Sequence, residues 1–187
     1  MSLKNKILVF VFVFLCMAKI SYAAEPLPIL YQAPSFELTN QNGTNFSSKT
    51  LNGKVWIADF KFTSCPHECP LMMSAMKSVQ RKLSGTPGVE FVSFTTDPKN
   101  DTPKVLKSFM KKFKADEKNW NFLTGNKTEI VRISKEGFKF AADEKNVSHS
   151  ERFALVDKNG QIRAYYESQS KESLDKLVQD AEKLVKQ

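Results

Sequence analysis

The sequence contains few of the residues that bind soft metals or form disulfides. Among its 187 residues there are three cysteines and two histidines. It also lacks internal repeats, low-complexity tracts and any basic stretch interleaved with aromatic residues, so nucleic acid is not an expected partner. Any chemistry of thiols or imidazoles must therefore come from these few side chains.

The length and composition predict one well-cored domain rather than two. Hydrophobic residues make up 41% of the chain, and its formal net charge is +8. Many lysines, such as Lys104, Lys107 and Lys111, fall on the surface of a predicted helix, where a solvated face is the simplest interpretation. Docking to anionic membranes or acidic partners is the alternative use of such a surface.

The first 23 residues have the pattern of an export signal. Lys4 and Lys6 precede an apolar stretch at residues 7–18, and Ser21-Tyr22-Ala23 resembles a small-x-small cleavage site. The stretch is short for a transmembrane helix. We therefore expect cleavage after Ala23 and an exported protein, in the periplasm or on the outer face of the inner membrane, with an uncleaved anchor as the alternative.

Cleavage changes the cysteine arithmetic. Cys16 would leave with the signal, and Leu15 before it is not the small residue expected of a lipoprotein cysteine. Cys65 and Cys69 would then be the remaining thiols, able to form one local disulfide. A bridge over so short a loop removes little entropy from the unfolded chain, so a purely structural role is not favoured.

The order of predicted elements indicates an α/β fold. After a linker at residues 24–34, turn signals and apolar periodicity predict a hairpin around residues 40–43, strands at 55–62, 89–95 and 120–123, helices at 71–83, 103–113 and 128–136, a second hairpin at 152–166 and a helix at 170–185. Such alternation calls for a central sheet with helices on both faces. We predict a thioredoxin-like three-layer sandwich over residues 35–187, with an N-terminal β-hairpin extension.

The two cysteines lie on the predicted strand-to-helix connection. Pro66 disfavours helical dihedrals at Cys65, whereas Pro70 suits the first position of a helix, so Cys69 is predicted near the N-cap. There the helix dipole should lower the thiol pKa from its ordinary value of about 8.5. The pair could bind a soft metal or close a disulfide, but not both at once.

A third metal ligand would have to come from a histidine. His67 lies inside the cysteine loop and is expected to be exposed to solvent. His149 precedes the strand predicted at residues 152–156, and a sheet that returns this strand beside the central one could bring His149 to the cysteines.

These features resemble the SCO/SenC family of copper proteins, which assist assembly of the copper A centre of cytochrome c oxidase. The likeness covers nearly the whole chain after the signal. It is carried by four motifs: Phe62-Thr63-Ser64-Cys65-Pro66-His67-Glu68-Cys69-Pro70; Phe91-Val92-Ser93 through Asp97-Pro98-Lys99-Asn100-Asp101-Thr102-Pro103; Leu123-Thr124-Gly125; and His149-Ser150 before Phe153-Ala154-Leu155-Val156-Asp157-Lys158-Asn159-Gly160.

The resemblance implies a copper site and its partners. It implies Cys65, Cys69 and His149 as ligands of Cu(I) or Cu(II), and Asp97 as an acidic residue near them. The implied partners are the copper A subunit of cytochrome c oxidase, or another copper-receiving protein, and a thiol-disulfide reductant. The chain departs from the family pattern at His67, where many members have an acidic residue, and at Lys61-Phe62, where a Gly-Tyr pair is frequent.

The donor chemistry favours a copper carrier over an enzyme, although thiol-disulfide oxidoreductase activity is left open. Two thiolates and one imidazole suit Cu(I), and an added oxygen donor would suit Cu(II), whereas structural zinc normally takes four protein ligands. The alternative is a thiol-disulfide oxidoreductase acting on a partner's cysteines. Such an enzyme needs Cys65 and Cys69 but not His149, and it ordinarily uses a Cys-x-x-Cys spacing.

Overall fold

A computed structural model describes residues 26–140 and 150–187. The strands are β1 Tyr31–Gln32, β2 Glu37–Asn40, β3 Asn45–Ser47, β4 Val55–Lys61, β5 Val89–Thr95, β6 Trp120–Thr124, β7 Arg152–Val156 and β8 Gln161–Glu167. The helices are α1 Glu68–Lys82, α2 Pro103–Phe113, α3 Lys127–Arg132 and α4 Lys171–Lys186. A 3₁₀ turn covers Ser48–Leu51, and a π-helical turn, Ile133–Gly137, continues α3. The signal predicted at residues 1–23 lies outside the described residues.

One mixed sheet organises the fold. Its eight strands have the order β1-β8-β7-β4-β5-β6-β2-β3. The central strands β4, β5 and β6 are parallel, and β7 pairs antiparallel with β4. The hairpin formed by β2 and β3 joins the sheet through β6, as the predicted N-terminal extension requires.

Helices cover both faces of the sheet, which confirms the predicted three layers. Along β4, Val55 and Ile57 point into a core shared with α1, α2 and α4. Trp56, Ala58 and Phe60 point into a second core closed by α3 and the residues that follow it. This alternation follows from the two-residue period of a strand that is buried on both faces.

Part of the predicted linker belongs to the sheet. The strand β1 lies within residues 24–34 and pairs with β8 at the edge. The flanking backbone is also bound there, because the Leu30 amide donates to the Ile162 carbonyl at 2.9 Å and the Ala33 amide to the Gly160 carbonyl at 2.8 Å. Within residues 26–140 and 150–187, no helix has the length and apolarity needed to cross a membrane.

The pairing of the central strands gathers several loops at one edge of the sheet. Parallel β4 and β5 end together, with Lys61 opposite Thr95. Because β7 is antiparallel to β4 and pairs Ala154 with Ala58, the start of β7 lies at the same edge. The loop after β4 carries the first cysteine, so this edge is where functional side chains should meet.

Candidate metal centre

The two cysteines flank the point where β4 passes into α1. Helix α1 begins at Glu68 with His67 as its N-cap, so Cys69 is the second helical residue. The helix therefore starts two residues before Pro70, which was predicted to open it. Proline is tolerated there because the first amides of a helix have no intrahelical acceptor to bond.

Both thiols are free, buried and close to each other. Cys65 is 6% exposed and Cys69 is 0% exposed. The Cys69 amide donates to Cys65 Sγ at 3.4 Å, and the Cys65 thiol donates to Glu68 Oε2 at 3.6 Å. This arrangement suits either a disulfide or a shared soft metal ion.

The expectation of a lowered pKa at Cys69 is wrong. Burial raises the pKa of this thiol to about 12, and the neighbouring Cys65 thiol raises it further. A backbone hydrogen bond from Phe62 and the positive charge of Lys61 act in the opposite direction but do not compensate. Removal from water disfavours the thiolate more than the helix terminus favours it. Cys69 therefore keeps its proton near neutral pH until a metal or a partner displaces it.

This raised pKa gives a testable pH dependence. In a reduced Cys65→Ser variant, burial of Cys69 persists, so we expect its ultraviolet thiolate absorbance to develop well above pH 9 in the folded chain. In denaturant the same thiol should titrate near its ordinary value of about 8.5. Because the pKa is raised on folding, the linked stability should be full below the unfolded value and should fall as the pH rises towards about 12. Equal titration midpoints in the folded and unfolded chains would contradict this.

A buried carboxylate that the sequence did not single out holds the cysteine loop. Asp101 is 0% exposed, and its Oδ2 accepts the Thr63 amide at 3.1 Å. The hydroxyls of Thr63 and Thr95 both donate to the same carboxylate. Asp101 thus joins the residue two before Cys65 to the end of β5. The sequence predicted a helix from residue 103, and in the structure Thr102 caps this helix by accepting a hydrogen bond from the Val105 amide.

Asp97, predicted beside the site, shapes the same turn. It is 8% exposed, and its Oδ2 accepts a hydrogen bond from the Asn100 amide side chain at 2.8 Å. Its own backbone amide donates to Thr95 Oγ1 at 3.0 Å. These contacts hold Asp97 in the turn after β5 and give its carboxylate a structural partner within that turn.

Removing the Asp101 carboxylate should destabilise the cysteine loop. We expect Asp101→Ala to lower the free energy of unfolding by about 3 kcal/mol, because three donors would lose one buried, charged acceptor. Thr63→Val should cost only about 1 kcal/mol, since it removes the single hydrogen bond from the Thr63 hydroxyl to that carboxylate and keeps the Thr63 amide. Denaturant titration of the reduced protein measures both changes. Glu117→Ala is the matched control, because Glu117 is exposed and its effect should stay within about 0.5 kcal/mol.

His149 lies outside the described residues, but described residues on both sides of it in the sequence lie near the end of β4, where the cysteine loop begins. The ring centroids of Phe140, before the gap, and Phe60 on β4 are 5.6 Å apart. The Arg152 guanidinium, after the gap, lies 5.4 Å from the Phe140 ring centroid. His67 is exposed, as predicted, and makes no side-chain capping bond. Among residues 26–140 and 150–187, no cluster of three or more His, Cys, Asp or Glu side chains could hold a metal.

A thiol pair at the entry to the first helix of a thioredoxin-like sheet defines a class of α/β proteins that use two cysteines for redox or metal chemistry. The SCO1/SenC family model matches residues 30–186. The chain therefore belongs to the SCO1/SenC family.

Individual relatives agree with this assignment over most of their length. The SCO1 protein homolog of Bacillus subtilis is 35% identical over 176 residues, covering 91% of this chain and 90% of its own. The structure of BsSco, described as a member of the Sco family of cytochrome c oxidase assembly proteins with a disulfide switch, has a TM-score of 0.78 at 34% identity, covering 87% of this chain and 98% of its own. Copper-bound yeast Sco1 has a TM-score of 0.66 at 27% identity, covering 80% and 88%.

Proposed function

We propose that this protein is an exported copper chaperone that binds its cargo through Cys65, Cys69 and His149 and serves assembly of the copper A site of cytochrome c oxidase. The observation that carries the proposal is the pair of buried, free thiols at the start of α1, where the Cys69 amide donates to Cys65 Sγ. They occur in a family that includes a copper-bound member.

The donor set fits copper as cargo. Two thiolates are soft ligands suited to Cu(I), and one imidazole completes a three-donor site. Three protein ligands leave the metal accessible to an incoming ligand, which a carrier needs and a structural zinc site does not provide. Because Cys69 is protonated near neutral pH, copper binding should release protons.

The start of β7 lies close to the cysteine loop, which supports His149 as the third ligand. Ser150, the next residue along the chain, leads directly into β7, whose start lies where β4 runs into the cysteine loop. Phe140 and Arg152, which flank residues 141–149 in the sequence, contact each other, and Phe140 also contacts Phe60 near the end of β4. Asp97, on the adjacent turn, is proposed as an acidic group near the metal.

The proposed location is outside the cytoplasm. It rests on the signal pattern of residues 1–23, with the linker and the SCO domain following it. A Bacillus anthracis relative, 37% identical with a TM-score of 0.75, is described as a lipoprotein. The pattern around Cys16 is not that of a lipidated cysteine. We therefore propose export followed by signal cleavage, and the alternative is an uncleaved signal that anchors the protein in the membrane.

The same thiol pair also supports a second candidate, a thiol-disulfide oxidoreductase. The proximity of Cys65 and Cys69 allows a disulfide, and the related BsSco is described as having a disulfide switch. In a copper carrier this chemistry would gate loading, because the cysteines must be reduced before copper enters. In an oxidoreductase it would be the activity itself.

Copper loading and transfer separate the two candidates. Reduced and oxidised protein are mixed with Cu(I), desalted and assayed for copper, and the loaded form is then mixed with the apo copper A domain of cytochrome c oxidase. We expect one copper per reduced chain and none on the oxidised chain. After transfer of two Cu(I) ions to each recipient domain, we expect the copper A absorption to appear when the recipient is oxidised by one electron with added ferricyanide. Reduction of a disulfide in the recipient domain by metal-free protein, without retention of copper, would instead favour the oxidoreductase.

A further inference from the structure

Among the described residues, Lys61 and Asp59 form a fully buried ion pair that the proposed ligand set does not use. The side chain of Lys61 is 2% exposed and that of Asp59 is 0% exposed, and Lys61 Nζ lies 2.6 Å from Asp59 Oδ2. Burying such a pair is costly, and replacing it with well-packed apolar residues is often neutral or stabilising. The pair therefore calls for an explanation other than stability.

We infer that Lys61, oriented by Asp59 beneath the thiols, makes the site favour Cu(I) over Cu(II) and so selects the oxidation state of the cargo. The inference rests on the proposed function and deepens it. It assigns a tuning role to a residue that is not itself a ligand.

The packing of Lys61 places its ammonium group under the first turns of α1. Nζ lies 3.2 Å from Met73 Sδ and 5.3 Å from the ring centroids of both Trp120 and Phe122. Met73 is four residues after Cys69, so both side chains occupy the same buried face of the helix. The positive charge is thus held about one helical turn from a thiol ligand, among apolar side chains that screen it weakly.

Along the chain, Lys61 lies closer to the cysteine loop than Asp59 does. β4 runs towards the cysteine loop and ends at Lys61, whereas Asp59 is two residues, or about 7 Å, further back along the strand. The charge of Lys61 also acts on Cys69 in the direction that favours the thiolate. Met73 contacts the ammonium from the side of the helix, one turn after Cys69.

Charge balance decides which oxidation state of copper the positive charge of Lys61 favours. When two thiols bind Cu(I), two protons leave and one positive charge enters, so the complex carries a charge of −1. With Cu(II) the same ligands form a neutral complex, and the metal-free dithiol and disulfide are also neutral. A nearby positive charge therefore stabilises the Cu(I) complex selectively.

Removing the charge should change the copper preference in a graded way. Lys61→Met leaves Asp59 buried without its cation, so we expect Cu(I) affinity to fall by about tenfold or more. The double variant Asp59→Asn with Lys61→Met removes the whole dipole and should lose only about threefold. Cu(II) affinity should change little in the double variant, so its Cu(II)/Cu(I) reduction potential should fall by about 30 mV, given 59 mV per tenfold change for one electron. If Cu(I) affinity recovers when Asp59→Asn is added to Lys61→Met, the loss in the single variant is electrostatic.

Three measurements on the full reduced chain test this inference. Competition with a Cu(I) chelator gives the Cu(I) affinity, a parallel titration gives the Cu(II) affinity, and thermal unfolding shows whether each variant is folded. Lys111→Met removes an exposed lysine on α2 and is the matched control, expected to bind like the wild type. A folded double variant with unchanged Cu(I) affinity and unchanged potential would overturn the inference while leaving the proposed function intact. Failure of the wild type to bind copper would overturn the proposed function itself.

Discussion

Replacing Cys65 or Cys69 with serine is expected to abolish retention of Cu(I). A neutral hydroxyl substitutes poorly for a thiolate at a soft metal, and one thiolate with one imidazole leaves the ion short of its favoured donors. Copper per chain after desalting should fall from about one to near zero in each variant, and affinity should drop by at least about a thousandfold.

The control for this prediction lies in the same loop. Ser64 is exposed and sits between Thr63 and Cys65, so Ser64→Ala should retain one copper with an affinity close to that of the wild type. If Cys65→Ser still held one Cu(I) with wild-type affinity, the thiol pair at the start of α1 would not be the binding site.

Replacing His149 with alanine is expected to weaken Cu(I) binding by about a hundredfold or more without abolishing it. Loss of groups that only support a ligand typically costs 10–100-fold in metal affinity, and loss of a direct ligand should cost at least as much. The two thiolates would remain, so a weaker two-coordinate complex should persist. Competition against a Cu(I) chelator measures the change.

The second histidine supplies a matched control. His67→Ala removes an exposed imidazole from the loop between the cysteines, and its Cu(I) affinity should stay within about twofold of the wild type. If His67→Ala bound more weakly and His149→Ala bound normally, the third ligand would be His67. If both variants bound Cu(I) as tightly as the wild type, neither histidine would be a ligand, and the oxidoreductase would be favoured.

Much of the fold could be predicted because its signals are local and periodic. A run of β-forming residues predicts the buried strand β4, and an apolar stripe at helical spacing predicts α4. The strand β1 could not be found in this way. It has two residues, and its pairing with β8 joins parts of the chain that are far apart in the sequence.

The site was less predictable wherever its properties depend on tertiary packing. The sequence placed Cys69 at a helix start, but the pKa of its thiol is set mainly by burial, which no local motif encodes. Asp101 lies just before a predicted helix, and nothing local in the sequence indicates that its fully buried carboxylate binds Thr63. Lys61 would ordinarily be expected at the surface, yet its partner Asp59 keeps it inside.

X-ray absorption spectroscopy of the Cu(I)-loaded wild-type protein tests the proposed metal centre most directly. It reports the elements bonded to copper without assuming any residue. We expect two sulfur ligands and one imidazole nitrogen, with the nitrogen lost in His149→Ala and kept in His67→Ala. A site with no imidazole nitrogen, or one whose nitrogen persists when His149 is replaced, would contradict the three-ligand copper carrier.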